Sequence, residues 1–213
     1  MSVGHIHKYL GWIIMIQYEK VKKIILERLR TELPTKLFYH GIPHTMDVLN
    51  TVENIAKSEE MDDARTLMLL RTAALFHDSG YIIRYEANEP LGCDITRTTL
   101  PSFGYDDTAI ETICEMIMST AIPQTPKNKL EMILCDADLD YLGRNDFDSI
   151  SNKLRDELSA HGKSFTDMEW VKFEISFLEK HDYFTSSERK LRTPGKLKHM
   201  EELKKTVASI AKV

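Results

Sequence analysis

One histidine and three carboxylates stand where apolar sequence would otherwise continue. His77 and Asp78 close one apolar run, and Asp136 and Asp138 interrupt a second. A charge carried into a core is costly unless it has a partner, and a cation would supply one. His44 lies at the start of a predicted helix and adds a second imidazole. These residue types together indicate a metal site.

Two neutral imidazoles and two carboxylates balance the charge of one divalent ion and leave coordination positions open for water and a substrate oxygen. Mixed nitrogen and oxygen ligation suits Mn, Fe, Co, Ni or Mg better than structural zinc. Such an ion lowers the pKa of bound water and polarises a phosphoryl oxygen. The set therefore predicts hydrolytic chemistry.

A His-Asp doublet alone carries little weight in a chain with eight histidines. A second doublet, His181-Asp182, is flanked by Glu179, Lys180 and Tyr183 rather than by an apolar run. We interpret it as a solvated helix end. Asp136 or Asp138 taken singly is also typical of a helix cap or hydrogen-bond acceptor.

Composition limits the classes of partner. A net charge of -5 and a pI of about 5.9 argue against a nucleic-acid polymer, because phosphate-backbone binding requires dense basic patches. The apolar segment 9–16 is too short to span a membrane, and Met15 is an alternative start. Three cysteines without a CxxC pair favour a reducing compartment, so we expect a cytoplasmic protein that acts on small molecules.

The pattern of apolar residues predicts an all-α protein. They recur at spacings of three and four, and no run alternates as a half-buried strand would. A first helix should end before Pro34, since the residue before proline disfavours the helical conformation. Further helices are predicted over 43–57, 62–80, 90–100, 106–119, 129–142, 146–160, 167–180 and 194–212. We expect one globular domain with an N-terminal helix (1–36), a metal-binding core (37–147) and C-terminal helices packed on that core (148–213).

Three segments carry a family resemblance. Tyr-His-Gly-Ile-Pro-His-Thr (39–45), Ala-Ala-Leu-Phe-His-Asp-Ser-Gly-Tyr (73–81) and Asp-Ala-Asp-Leu-Asp-Tyr-Leu-Gly (136–143) resemble, in this order, the H…HD…D signature of the HD phosphohydrolase superfamily. The resemblance covers roughly residues 37–147. It implies a single helical HD-domain bundle with a C-terminal helical extension, and a metal held by His44, His77, Asp78 and Asp138. Asp138 is preferred because Ala137-Asp138-Leu139 is similar to the arrangement in related cyclic-nucleotide phosphodiesterases, with Asp136 as the alternative.

The resemblance also implies a function. The expected reaction is hydrolysis of a phosphate ester of a nucleotide or small phosphometabolite by metal-activated water. The alternatives are a cyclic-nucleotide phosphodiesterase and a non-catalytic nucleotide-binding or regulatory module. Asn88 stands where binuclear relatives place a histidine, so one ion is expected. Tyr81 stands where nucleotidase-type relatives carry a glutamate, so no general acid can be assigned from the family.

Two further groups of residues are weaker candidates. Three carboxylates are predicted to take part in catalysis. Asp78 would act as a metal ligand, and Glu89 and Asp140 would orient water. Arg84, Lys127 and Arg144 would bind the substrate phosphate, with Lys129 beside them. Residues of these types are more often solvated surface groups than phosphate ligands.

Overall fold

The computed structural model describes residues 3–210, with side chains over 17–209. The side chains of the apolar segment 9–16, including Met15, are therefore not described. Residues 1–2 of the predicted N-terminal helix segment and residues 211–212 of the predicted last helix lie outside the described backbone. Residues 3–210 contain no β-strand, so the all-α prediction is confirmed. In this range no helix is long and apolar enough to cross a membrane. The helices are α1 (Val3–Glu32), α2 (Ile42–Ser58), α3 (Ala64–Phe76), α4 (Asn88–Thr99), α5 (Asp107–Ser119), α6 (Lys129–Asp138), α7 (Phe147–Ala160), α8 (Asp167–Lys180) and α9 (Ser186–Ile210).

Helix α3 lies at the centre of the main core. It begins at Asp63, whose side chain accepts hydrogen bonds from the backbone N–H groups of Arg65 and Thr66. Its apolar run packs against α1, α2, α5 and α6, through fully buried side chains that include Val21, Ile25, Val52, Leu70, Leu75, Ile113 and Ile133. Because this core surrounds α3, the residues at its C-terminal end are delivered to a buried position.

A second, smaller cluster joins the C-terminal helices to the core. It contains Tyr39, Tyr141, Leu142, Phe147 and Leu178. Tyr39 precedes α2, and Tyr141 lies in the 3₁₀ turn Asp140–Gly143 that follows α6. The C-terminal helices therefore pack against the two segments that flank the predicted metal ligands. The division into 1–36, 37–147 and 148–213 stays a prediction.

The last helix begins earlier than predicted. Residues 194–212 were expected to be helical, whereas α9 starts at Ser186 and contains Pro194 in its interior. The Asp136 carboxylate binds the residues just before α9, accepting from the backbone N–H groups of Phe184 and Thr185 and from the Thr185 hydroxyl. These long-range bonds stabilise a helix start that local sequence did not indicate.

Helix α6 ends earlier than predicted. Residues 129–142 were expected to form one helix, but α6 ends at Asp138 and the 3₁₀ turn Asp140–Gly143 follows. Two glycines let α9 pack against this turn. A Cβ on Gly143 would lie 2.3 Å from the Arg192 carbonyl oxygen, and one on Gly195 would lie 2.1 Å from the Gly143 carbonyl oxygen. The turn and α9 are therefore in backbone contact.

A buried charge cluster lies between this turn and α9. The Asp140 carboxylate accepts from Arg192 Nε at 2.5 Å and from Arg144 at 3.2 Å. Glu188 is buried nearby, and Arg192 Nε is 3.6 Å from its carboxylate. Burial, together with the neighbouring Asp140, raises the pKa of Glu188 to about 8. Near neutral pH this carboxyl group therefore carries a proton in the folded protein.

Glu188 is expected to make stability fall as pH rises. A group whose folded pKa lies above its unfolded pKa stabilises the fold below the unfolded value, and this contribution is lost as pH rises through the folded value, here about 8. Glu188→Gln cannot ionise, so its melting temperature should fall less than that of the wild type between pH 6 and 9. Glu111→Gln, on the exposed face of α5, is the control and should follow the wild type. Parallel curves for Glu188→Gln and the wild type would contradict the assignment.

Candidate metal centre

Three helix ends bring four predicted ligands together. His44 lies in the first turn of α2, which begins after Gly41 with Pro43 in its first turn. His77 caps the C-terminus of α3 and Asp78 follows it, while Asp138 is the last residue of α6. His44 Nε2 lies 3.2 Å from His77 Nε2 and 3.1 Å from Asp138 Oδ1. Asp78 Oδ2 lies 3.1 Å from His77 Nε2 and 3.4 Å from His44 Nε2.

The hydrogen bonds around these groups leave lone pairs facing one another. His77 Nδ1 lies 2.8 Å from the Ala74 carbonyl, an acceptor, so Nδ1 carries the proton and the neutral ring presents the Nε2 lone pair. Asp78 Oδ2 is buried without a hydrogen-bond donor, while its Oδ1 accepts from the Asn88 amide at 3.3 Å. Acceptors that converge in this way are stabilised by a cation. The donor set therefore fits a divalent metal ion.

The charges around the site favour a bound cation. Although burial opposes its protonation, Asp78 and Asp138 raise the pKa of His77 to about 9. Burial likewise opposes ionisation of Asp78, yet His77 and His40 hold its pKa below the ordinary value. The negative charge that draws a proton to His77 would equally attract a metal ion. A proton and a metal therefore compete for this site.

The structure separates Asp138 from Asp136. Asp138 lies with His44 and His77, and the three offer ligand atoms within 4.8 Å of one another. Asp136 is fully buried two residues earlier, with its oxygens bound to Phe184 and Thr185. The structure thus places the preferred fourth ligand at the site and the alternative against the start of α9. The ligand assignment itself stays a prediction.

The weaker candidates are placed differently from one another. Asp140 is buried against Arg144 and Arg192. Its two oxygens form ion pairs with these arginines and are not free to orient a water molecule. Glu89 lies half-buried in the first turn of α4. Arg84 is exposed, and its Nε donates to the Glu86 carbonyl.

The predicted phosphate-binding residues do not share one surface. Lys127 lines a cavity with Arg97, Glu111 and Glu131 that contains none of the four ligands. Lys129 is paired with Glu59. Arg144 instead lines a cavity of about 270 Å³ that includes the ligand His44. Arg144 is thus the one phosphate candidate of the sequence analysis that the structure places beside a predicted ligand.

Sequence reasoning missed a histidine and glutamate pair beside the ligands. His40 Nδ1 is hydrogen-bonded to Glu157, whose carboxylate is buried and also accepts from the backbone N–H groups of Tyr39 and His40. The His40 ring lies edge-on to His44, with centroids 5.9 Å apart. Although burial opposes protonation, Asp78 and Glu157 raise the pKa of His40. The position of His40, four residues before His44, was the available signal, and Glu157 had none.

The second His-Asp doublet also differs from its prediction as a solvated helix end. Asp182 is exposed, with 94% of its side chain accessible, but His181 is buried at 9% exposure. Neither ring nitrogen of His181 has a hydrogen-bond partner among the described residues. The prediction was wrong for His181 because the ring packs between Phe177 and Tyr183 and not against its charged sequence neighbours.

Comparison with known proteins identifies the fold. No protein-family profile and no curated protein sequence matches this chain. A crystal structure described as a predicted HD superfamily hydrolase, from an uncultured Thermotogales bacterium, superposes with a TM-score of 0.59 over 90% of this chain and 91% of that chain, at 21% identity. The chain has the HD-superfamily fold. The resemblance indicated by the H…HD…D motif is confirmed at the level of the fold.

Proposed function

We propose that this protein is a metal-dependent phosphohydrolase that cleaves a phosphate ester of a nucleotide or small phosphometabolite. The observation that carries the proposal is the convergence of His44, His77, Asp78 and Asp138, with Asp78 Oδ2 3.1 and 3.4 Å from the two imidazole Nε2 atoms. The related crystal structure is described as a predicted HD superfamily hydrolase, which supports a hydrolytic role. The three buried, free cysteines support a reducing cytoplasm.

The four ligands would hold one divalent ion, chosen from Mn, Fe, Co, Ni or Mg. When bound, the ion supplies a water of lowered pKa and polarises the phosphoryl group. Asn88 supports a single ion, because its amide is buried, donates to Asp78 and is a poor ligand for a transition metal. The chain's own residues must then provide the proton for the leaving group and the positive charge for the phosphate.

The cavity beside His44 is the proposed phosphate entrance. Arg144 lines it, but Asp47, Asp140 and Asp146 accept hydrogen bonds from its guanidinium and neutralise its charge. Lys153 also lines it, is exposed, and has no ion-pair partner among the described side chains. Lys153 is therefore the stronger candidate for a direct phosphate contact, and Arg144 for shaping the wall.

His40 is the proposed proton donor. Glu157 holds Nδ1, which leaves Nε2 available to a substrate, and 17% of the side chain remains exposed beside the ligands. The negative charges of Asp78 and Glu157 favour the protonated ring against the effect of burial. His40 would donate this proton to the leaving oxygen, and Glu157 would orient the ring and stabilise its charge.

The function is tested by activity after metal reconstitution. The purified chain, loaded in turn with each of the five metals, is offered p-nitrophenyl phosphate, nucleoside mono-, di- and triphosphates, cyclic nucleotides and sugar phosphates. Phosphate release that requires the metal supports the proposal, and release from a cyclic diester alone would favour the phosphodiesterase alternative. One bound ion without turnover of any ester would overturn the proposal in favour of a binding module.

His40→Gln is expected to lower kcat in a way that depends on the leaving group. A positioned general acid contributes about 10²–10⁴-fold, and the contribution grows with the basicity of the leaving oxygen. The variant should therefore lose about 100-fold on alkyl phosphates and far less on p-nitrophenyl phosphate. Glu157→Gln should show the same selectivity with a smaller loss. An equal loss on both ester types would assign His40 a structural role.

A further inference from the structure

A second cavity lies on the other side of Asp138. It measures about 150 Å³ and has mainly apolar walls formed by Ile122, Pro123, Leu139, Phe177 and Phe184, with Gln124, Lys180 and His181 completing it. Ligand pockets typically measure about 300–1,000 Å³, so this one suits a single ring system rather than a whole nucleotide. The cavity is polar at only two groups, Gln124 and His181, apart from the exposed Lys180.

Both of these side chains have buried polar atoms without partners. Gln124 Oε1 and the two ring nitrogens of His181 are buried without hydrogen bonds within the described part of the chain. A buried donor or acceptor left unsatisfied destabilises the fold, so two side chains with such atoms lining one cavity point to a ligand that completes them.

The orientation of the Gln124 amide is determined by its surroundings. Its Nε2 donates to the Cys135 carbonyl at 3.3 Å and to Asp138 Oδ2 at 3.4 Å, both of them acceptors. Turning the amide over would place oxygen against oxygen, so Oε1 is the atom left without a partner. This atom requires a donor from the ligand.

His181 offers the ligand one hydrogen-bond donor and one acceptor on a ring that its aromatic neighbours hold in place. Burial, reinforced by the charge of Lys196, lowers the pKa of His181 to about 4, so the neutral ring offers one donor and one acceptor. Tyr183 packs edge-on against it with centroids 4.7 Å apart. Phe177 lies nearly parallel to it, with an interplanar angle of 9° and centroids 6.5 Å apart. Phe177 therefore offers a flat apolar wall to a flat ligand whose ring lies in the plane of the His181 ring, the plane in which the His181 nitrogens form hydrogen bonds.

Asp138 connects this cavity to the metal centre. Its Oδ1 lies 3.1 Å from His44 Nε2, and its Oδ2 lies 3.4 Å from Gln124 Nε2. We infer that the cavity binds the amino-substituted heteroaromatic ring of a nucleotide substrate of the adenine class, with its amino group donating to Gln124 and its ring nitrogen paired with His181. The inference rests on the proposed function, because the phosphate of the same substrate would lie at the metal.

Adenosine tests the subsite separately from the chemistry, because it carries no phosphate to hydrolyse. Calorimetry on the metal-loaded protein should detect adenosine binding, and inosine should bind roughly tenfold more weakly because the carbonyl oxygen that replaces the adenine amino group faces the Gln124 oxygen. Turnover of the phosphate-ester panel by the wild type decides the proposed function independently of adenosine binding. Failure of adenosine to bind, equal binding of the two nucleosides, or a crystal structure with adenosine present that shows only ordered water in the cavity would overturn the subsite.

Two variants at one position separate binding from folding. His181→Leu removes two unpartnered nitrogens, so its melting temperature should be equal to or above that of the wild type while adenosine affinity falls roughly tenfold. His181→Gln keeps a donor and an acceptor and should retain more of the affinity. Lys127→Ala, in the separate cavity with Arg97, is the control that should bind adenosine as the wild type does. If His181→Leu lost stability and bound adenosine unchanged, the histidine would be structural and the inference wrong.

Discussion

His77→Ala is expected to abolish metal binding and ester hydrolysis together while the helical content stays that of the wild type. His77 presents Nε2 to the centre, while its Nδ1 donates to the Ala74 carbonyl. Its loss therefore removes one metal ligand and also the imidazole that lies beside the Asp78 carboxylate. Loss of an outer partner of a metal ligand already costs about 10–100-fold in affinity, and loss of a ligand should cost more. Its position just after the last residue of α3 is the reason that the fold should survive.

Elemental analysis after purification without chelator measures the result directly. The wild type should contain one ion per chain, and His77→Ala should contain none, with far-ultraviolet circular dichroism unchanged. His181→Ala is the matched control for metal content, because it also removes a buried histidine but leaves the ligand atoms in place. Full metal occupancy in His77→Ala would place the metal elsewhere. Two ions per wild-type chain would disprove the single-ion proposal drawn from Asn88.

Much of the site could be predicted because its cause is local. The His77-Asp78 doublet follows an apolar run that is buried throughout α3, and a charge at the end of such a run needs a partner. Pro43 marked the start of α2, and therefore the position of His44 one residue later. The spacing of apolar residues was sufficient for the all-α fold because α1 to α6 bury apolar faces in the main core and the C-terminal helices bury theirs in the second cluster.

The parts that could not be predicted depend on contacts between distant residues. Glu157 meets His40 across 117 residues, and no local pattern connects them. His181 is surrounded in sequence by charged residues, yet Phe177 and Tyr183 enclose its ring. The start of α9 at Ser186 depends on Asp136, 49 residues before Thr185. The pattern of residues along a helix predicts which face is buried, but it does not predict which distant residue packs against that face.

The choice between Asp136 and Asp138 illustrates this division. Both interrupt the same apolar run, so the sequence predicted that both are buried or paired, and Asp136 is indeed fully buried. Residues two apart on a helix do not face the same neighbours. One carboxylate therefore had to face the histidines and the other a different element, and only the positions of α2 and α9 determine which.

Exchanging each aspartate for asparagine is expected to separate metal binding from stability. Asp138→Asn should lose the metal, because an amide is a poor ligand. Without metal it should be about as stable as the wild type, because the amide oxygen can still accept the hydrogen bond from Gln124. Asp136→Asn should keep the metal. It should lose about 1–3 kcal/mol in the free energy of unfolding, because one of the backbone N–H groups of Phe184 and Thr185 then faces an amide NH₂.

Urea unfolding with metal analysis of both variants measures the two quantities on the same samples. Because each protein differs from the wild type by one oxygen exchanged for an NH₂ group, side-chain volume cannot explain a difference between them. The opposite pattern, with metal lost from Asp136→Asn and kept by Asp138→Asn, would show that the ligand is Asp136 and that α9 moves away from it when the ion binds.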